Sequence, residues 1–522
     1  MKKEILTSIL ALTLASLQAQ PLVHAPKLVV TIAIDQLRTD YLDNFSPLYG
    51  ERGFKRLMRE GRVYMQAEYP FTRPDRASSI ATLYSGCTPS VHGIVAENWL
   101  DRSTLRPTNC VDDPDFMGNY TDENSSAQKL LTSTVADELR IATRGRALIY
   151  SIAPFRDAAI LAAGHSANGA FWINEKSGKW CGTTYYNEFP WWVSQYNDRH
   201  SVDFRIKDIE WTPSYPIERF TYLPEWRDIP FRYKFDADRQ NRFRRLATSP
   251  YANDEVNLLV ETLMAKSTIG QDNVPDLLSL TYYAGNYNHQ STTVFAMEIQ
   301  DTYVRLDHSI AQLLDLIEHK VGLANTLICI TSTGYSDAEQ ADAPSYRIPG
   351  GEFRLERCAT LLNMYLMATY GQGQYVEAHY NNQIYLNEKL IESKQLNLND
   401  IEAKAEAFLV QFSGVDRVYA GHRMLLGTWS PTLEKLSNAY HRKRSGNLTI
   451  TLLPGWTNAS EGESSPRVTR TAYFSSPLIF MGCGLKPEVI TSPVDAGCIA
   501  PTLSKAMRIR APNASSLAPL HF

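Results

Sequence analysis

The chain has 522 residues, 44% of them hydrophobic and 21% charged, the composition of an ordinary globular protein rather than a disordered or fibrous one. Its length allows one large core, or one domain enlarged by insertions. A net charge of −4 supplies no basic footprint for nucleic acid, which excludes that class of partner from the expectations.

At the start, Lys2 and Lys3 precede an apolar run from Ile5 to Leu17 and a small-residue site near Ala19 and Gln20. The run is shorter than the roughly 20 apolar residues of a membrane span. It reads as a cleaved secretory signal over residues 1–19, with the mature protein periplasmic from residue 20. No cysteine marks a lipoprotein anchor there, and no later segment reaches transmembrane length.

Residues 28–34 form a continuous apolar run that ends in Asp35, and similar runs recur at 147–152, 277–283, 327–331, 448–453 and 478–481. Short runs rich in Val, Ile and Leu suit strands buried on both faces. Between them, Phe54, Leu57 and Met58 recur at helical spacing, as do Tyr303, Leu306, Ile310, Leu313 and Ile317, then Ile401, Ala405, Leu409 and Phe412. This alternation predicts a doubly wound α/β domain, a mostly parallel sheet with helices on both faces. Two stretches interrupt it. Residues 170–260 hold six of the nine tryptophans (Trp172, Trp180, Trp191, Trp192, Trp211 and Trp226), and residues 340–446 are of mixed composition with a Pro-Gly-Gly turn at 349–351. Both predict insertions folded over the sheet. The first is an aromatic-rich cap whose rings either pack a small core of their own or line a binding surface.

Seven cysteines are present without C-x-x-C spacing. Cys329 and Cys483 lie in apolar runs, as core residues do, while Cys87 with Cys110, or Cys181 with Cys358, are candidate pairs in an oxidising compartment.

In an open α/β sheet, ligands gather beyond the carboxyl ends of the strands. Asp35 stands at such a place, suited to a metal ion or to capping the segment that follows. Further motifs come in order. Asp-Gln-x-Arg lies at 35–38, Gly-Phe-Lys-Arg-Leu at 53–57, Tyr-Ser-Gly-x-Thr-Pro-Ser-Val-His-Gly-Ile-Val at 84–95 and Asn-Trp-x-Asp-Arg at 98–102. Ala-Ala-Gly-His-Ser at 162–166, Asp-Thr-Tyr-Val-Arg-Leu-Asp at 301–307, Arg-Ser-Gly at 444–446 and Ile-Ala-Pro-Thr-Leu at 499–503 continue the series. The set resembles bacterial phosphate-irrepressible alkaline phosphatases, in the type I phosphodiesterase/nucleotide pyrophosphatase-like branch of the alkaline phosphatase superfamily, over nearly the whole chain.

That resemblance implies an alkaline-phosphatase-like fold and two-zinc phosphoryl transfer, in which a metal activates a Thr or Ser nucleophile and both metals clamp the phosphate. Residue by residue, the carry-over is incomplete. Asp35 matches the first metal-binding aspartate. Counting without gaps from His92, the nucleophile falls on Arg76, whose guanidinium cannot attack phosphorus; a register with a four-residue insertion would place Thr72 there instead. The Asp-x-x-x-His metal motif becomes Asn286 and Gln290, with His289 one position away and able to reach a metal only after a local slip. The Asp-His-Gly motif becomes Thr333, Gly334 and Tyr335, and the last metal-binding histidine becomes Ser475. The phosphate-contacting Lys and Arg become Phe155 and Asp157, and an active-site asparagine becomes Glu97.

Of the metal-binding side chains only Asp35 remains, so the leading expectation is a pseudoenzyme without a cofactor, in which Arg76 pairs with Asp35 and replaces charge lost with the metals. The alternative is an active phosphomonoesterase or phosphodiesterase, or a sulfatase-like hydrolase, with zinc in an unusual site around Asp35, Thr72 and His289. A third is an interaction subunit that meets an envelope protein through Trp191 and Trp192, or holds a ligand under the cap. His92 and His165 read as structural. Ser78, Ser79 and Thr82 read as capping and packing residues, and Asp301, Arg305 and Asp307 as a solvated or interhelical charge network.

Overall fold

The computed structural model describes residues 24–521, apart from 187, 222, 224–228, 291–295, 338–348, 428–429 and 460–471; the expected signal segment and Trp226 lie outside the described residues. The first apolar run forms strand β1, Leu28–Asp35, buried at every position. Its side chains alternate between two cores, as a two-residue period requires. Leu28, Val30, Ile32 and Ile34 join one, and Val29 and Ala33 join the other. Burying one such aliphatic side chain contributes about 1.5–3 kcal/mol, so a strand covered on both faces is an anchor of the whole domain.

Ten further strands complete the sheet: β2 Arg62–Glu68, β3 Gly118–Asn119, β4 Ile149–Ala153, β5 Gly169–Ile173, β6 Trp180–Thr183, β7 Asp276–Tyr283, β8 Thr326–Ser332, β9 Ser476–Gly482, β10 Glu488–Ile490 and β11 Val494–Asp495. The order is β10-β2-β9-β8-β1-β7-β4-β5-β6-β3, with β11 also beside β2. The centre, β8-β1-β7-β4-β5, is parallel throughout. The 478–481 run differs from a parallel strand, since β9 pairs antiparallel with both β8 and β2. Helices α1 Arg76–Ser85 and α2 Arg156–Ala163 pack on one face, and α3 Tyr251–Lys266 and α4 Ala296–Lys320 on the other.

The stretch 170–260 is not a separate cap with a core of its own. Its first part is β5 and β6 of the main sheet, its last is α3, and Trp180, Trp192 and Trp211 join the same core as β1. The reason is size: buried aromatics of this bulk extend an existing core more readily than they found a new one. Trp192 is therefore no contact surface, being buried against Tyr150 and Phe171, whereas Trp191 is 61% exposed. The later stretch does carry a satellite core. A four-stranded sheet, ordered Val376–Tyr380, Gln383–Leu386, Leu448–Leu452 and Val415–Ala420, packs on Leu355–Tyr370 and Leu398–Leu409. The 448–453 run thus belongs to this smaller sheet, beyond residue 446. All seven cysteines are free thiols, so neither Cys87–Cys110 nor Cys181–Cys358 forms; six of the seven are buried. Among the described residues no helix is long and apolar enough to cross a membrane.

Candidate functional site

Parallel strands deliver their carboxyl ends to one edge. Asp35 ends β1, Tyr283 ends β7, Thr333 follows β8, and Phe155 follows β4 by two residues. Beside them begins α1, whose N-cap is Asp75: its carboxylate accepts from the Ser78 N–H, and the Ser78 hydroxyl closes a capping box. Arg76 is therefore the first helical residue, its side chain aimed at the sheet edge. Thr72 lies in the preceding segment, its N–H donating to the Lys435 carbonyl at 3.1 Å.

The Arg76 guanidinium is the hub of the site. Nε donates to both Asp157 carboxylate oxygens, at 3.0 and 2.9 Å, and Nη2 meets Asp157 at 2.9 Å. Glu97 lies 3.3 Å from Nη2, and Asp35 lies 3.6 Å from Nη1. The guanidinium stacks over the Phe155 ring with Cζ 4.0 Å from the centroid. Burial alone would lower the Arg76 pKa; the surrounding Asp157, Glu97 and Asp35 outweigh it and hold the pKa well above the usual arginine value. The Glu97 N–H in turn donates to Asp75 at 2.6 Å, so helix cap and ion-pair hub are one network.

Asp35, wholly buried, accepts from the Thr333 hydroxyl at 2.9 Å, and that oxygen accepts from the Gln36 N–H at 3.0 Å. Gln36 sits in the left-handed region, φ 64°, and its side-chain oxygen accepts from the Asp337 N–H at 2.9 Å. Asp337 then pairs with His289 Nδ1 at 2.8 Å. An unbroken chain of contacts thus runs from Asp157 through Arg76, Asp35, Thr333, Gln36 and Asp337 to His289. Asp75, Gln36 and Asp337 were not foreseen as site residues. Gln36 lies in the Asp-Gln-x-Arg motif at 35–38 without its role being readable there, and Asp337 carries no sequence signal; Asp75, followed three residues on by Ser78, is a legible cap.

The other positions fall around this chain. Asn286 is buried in the turn after β7, where its carbonyl accepts from the Tyr283 hydroxyl at 2.8 Å, and Gln290 is exposed. Gly334 and Ser475 line an adjoining cleft of about 220 Å³ with Thr72. His92 is structural: its Nδ1 accepts from the Ile94 N–H, its Nε2 meets the Thr82 hydroxyl, and burial with nearby Arg444 pushes its pKa down to about 3. His165 bridges Tyr185 and the Thr132 carbonyl, and Ser79 donates to the Thr333 carbonyl. Asp301 is buried rather than solvated: it accepts from Trp211 Nε1, the Ser214 N–H and Arg305, while Asp307 accepts from the Gly50 and Phe54 N–H groups.

The zinc pair implied by the resemblance does not fit these residues. The Thr333 hydroxyl is committed to Asp35, Gly334 has no side chain, and a fixed guanidinium stands beside the one retained aspartate. Among the described residues, no three His, Cys, Asp or Glu side chains converge as a metal site would require.

The chain matches the type I phosphodiesterase/nucleotide pyrophosphatase family over residues 29–473. It belongs to that family. It is 27% identical to alkaline phosphatase PafA of Elizabethkingia meningoseptica over 94% of this chain and 93% of that one. It is 28% identical to alkaline phosphatase PhoV of Synechococcus elongatus over 94% and 92%. The crystal structure of wild-type PafA superposes with a TM-score of 0.84, at 26% identity, covering 96% of this chain and 99% of that one, as does a PafA variant substituted at one threonine, one asparagine, one lysine and one arginine. The family's fold is therefore this chain's fold.

Proposed function

We propose that this protein is an exported, periplasmic pseudoenzyme of the alkaline phosphatase superfamily, one that binds or scaffolds rather than transferring phosphoryl groups. The observation that carries the reading is Arg76, opening α1 with its guanidinium engaged by Asp157, Glu97 and Asp35. A guanidinium is no nucleophile, and three carboxylates around it repel a phosphate dianion. The threonine and asparagine altered in the PafA variant are spaced as Arg76 and Glu97 are, and its lysine and arginine as Phe155 and Asp157 are. That parallel supports reading all four positions as replaced together.

A second reading keeps a hydrolase, and the pairing of His289 with Asp337 favours it. A histidine oriented by a carboxylate, its side chain 43% exposed, is the form a general base takes. One experiment separates the two. The purified protein is incubated with zinc, its bound metal is measured, and aryl phosphate and phosphodiester are supplied. Substoichiometric zinc and no turnover are expected. One or more tightly held zinc ions per chain, with turnover lost in Asp35→Ala, would establish the hydrolase instead.

A further inference from the structure

The cleft beside the Arg76 hub has walls of a different chemistry from its neighbour. Tyr69, Phe71, Pro74 and Phe474 supply apolar and aromatic surface, and Thr72 lines it with them. Phe71 and Tyr69 are buried and held: the Tyr69 hydroxyl donates to the Ser332 carbonyl at 2.7 Å, and the two rings meet edge-on at 5.7 Å. Arg38 stacks on the Phe474 ring, 4.1 Å from its centroid, which supports that wall from outside. Gly334 forms part of the lining because its backbone, at φ 76°, runs against the Tyr69 ring, leaving no room for a side chain there.

Charge decides what such a cleft accepts. Lys435, the cation among its lining residues, lies 3.4 Å from Glu68, which lines the same cleft, so that pair is close to neutral. Arg38, behind the Phe474 ring, is paired with Asp40 at 2.6 Å, and Arg76 has three carboxylate partners, so the hub as a whole carries excess negative charge. A dianion would lose its hydration without gaining a counter-ion, whereas an uncharged ring would exchange water for aromatic contact. A volume of about 220 Å³ suits a single ring with a small polar substituent rather than a polymer.

We propose that this cleft binds small uncharged aromatic alcohols or phenols, the dephosphorylated counterparts of aryl phosphate esters, with the ring between Phe71 and Phe474 and the hydroxyl at Thr72. The inference rests on the pseudoenzyme reading and is tested separately from it. Fluorine NMR line widths of 4-fluorophenol and of 4-fluorophenyl phosphate are measured with the full mature chain, with Thr72→Phe, which fills the cleft, and with Phe474→Ala, which opens its wall. Melting curves confirm that each variant is folded. Broadening of the phenol signal that is lost in Thr72→Phe and reduced several-fold in Phe474→Ala is expected, with the phosphate signal unchanged. A phenol signal that stays sharp, or that broadens equally with all three chains, overturns the cleft proposal and leaves the pseudoenzyme reading standing. Stronger broadening of the phosphate than of the phenol would likewise overturn the cleft proposal, while zinc content and turnover decide the pseudoenzyme reading.

Discussion

Arg76 is buried with charge on three sides, and its removal is the sharpest test of the site. Deleting one member of a buried ion-pair cluster costs about 3–5 kcal/mol, because the partners stay behind without compensation. Arg76→Ala is expected to lower stability by that order, and Arg76→Lys by less, since an ammonium cannot serve the Asp157 fork and the Phe155 ring together. The pH dependence has a definite sign. In the wild type the raised arginine pKa makes this contribution present throughout the ordinary pH range, to be lost only as pH climbs through that raised value. In the alanine variant, Asp157, Glu97 and Asp35 face one another without their shared cation, and their mutual repulsion makes the expected deficit larger at pH 8 than at pH 5. Denaturant melts at pH 5 and pH 8 measure this; an equal deficit at both would show that the hub is not electrostatic. Arg76 and Glu97 were legible because matched flanks fix their register without gaps. The partnership of His289 with Asp337 was not, because 48 residues separate them and only the fold brings them together.

At the scale of elements, α1 begins at Arg76 because Asp75 and Ser78 cap it, and β8 passes into the site through Gly334. A side chain at Gly334 would meet the Tyr69 ring and would require a left-handed backbone. A non-glycine residue held there costs about 1–3 kcal/mol before the steric conflict is counted. Gly334→Ala should therefore lower the melting temperature by several degrees. A melting temperature unchanged from wild type would mean that the β8 turn relaxes freely. The long strands β1, β7 and β8 were readable as apolar runs, whereas β5 and β6 were not. They are five and four residues long and built on Phe, Trp and Cys, so their composition merged with the aromatic stretch around them.

Across the whole molecule, the motifs that carry the resemblance do their work as joints. Arg102 donates to the Ser445 carbonyl and to Asn447, and Arg444 stacks 4.9 Å over Trp99, tying the 98–109 hairpin to the smaller sheet, where Asn447 in turn reaches Glu388 and Glu402. The fold was legible because the motifs that carry the resemblance lie at such joints rather than at the site alone. The opposite side of the domain bears a buried acid with no role in the site. Glu255 pairs with Arg205 and Tyr196, and burial pushes its carboxyl up to about 7. A carboxyl raised on folding stabilises most at low pH, and that contribution is lost as pH rises from its ordinary range near 4.5 through about 7. Glu255→Gln should therefore gain on the wild type as pH rises from 5 to 8; parallel melting profiles for the two proteins would refute this.

The four-way embrace of Arg76 has an evolutionary corollary. Placing threonine at residue 76 alone would strand Asp157, Glu97 and Asp35 together without their shared counter-ion. That single substitution leaves a destabilised protein, so the arginine and its carboxylate partners can be exchanged only together.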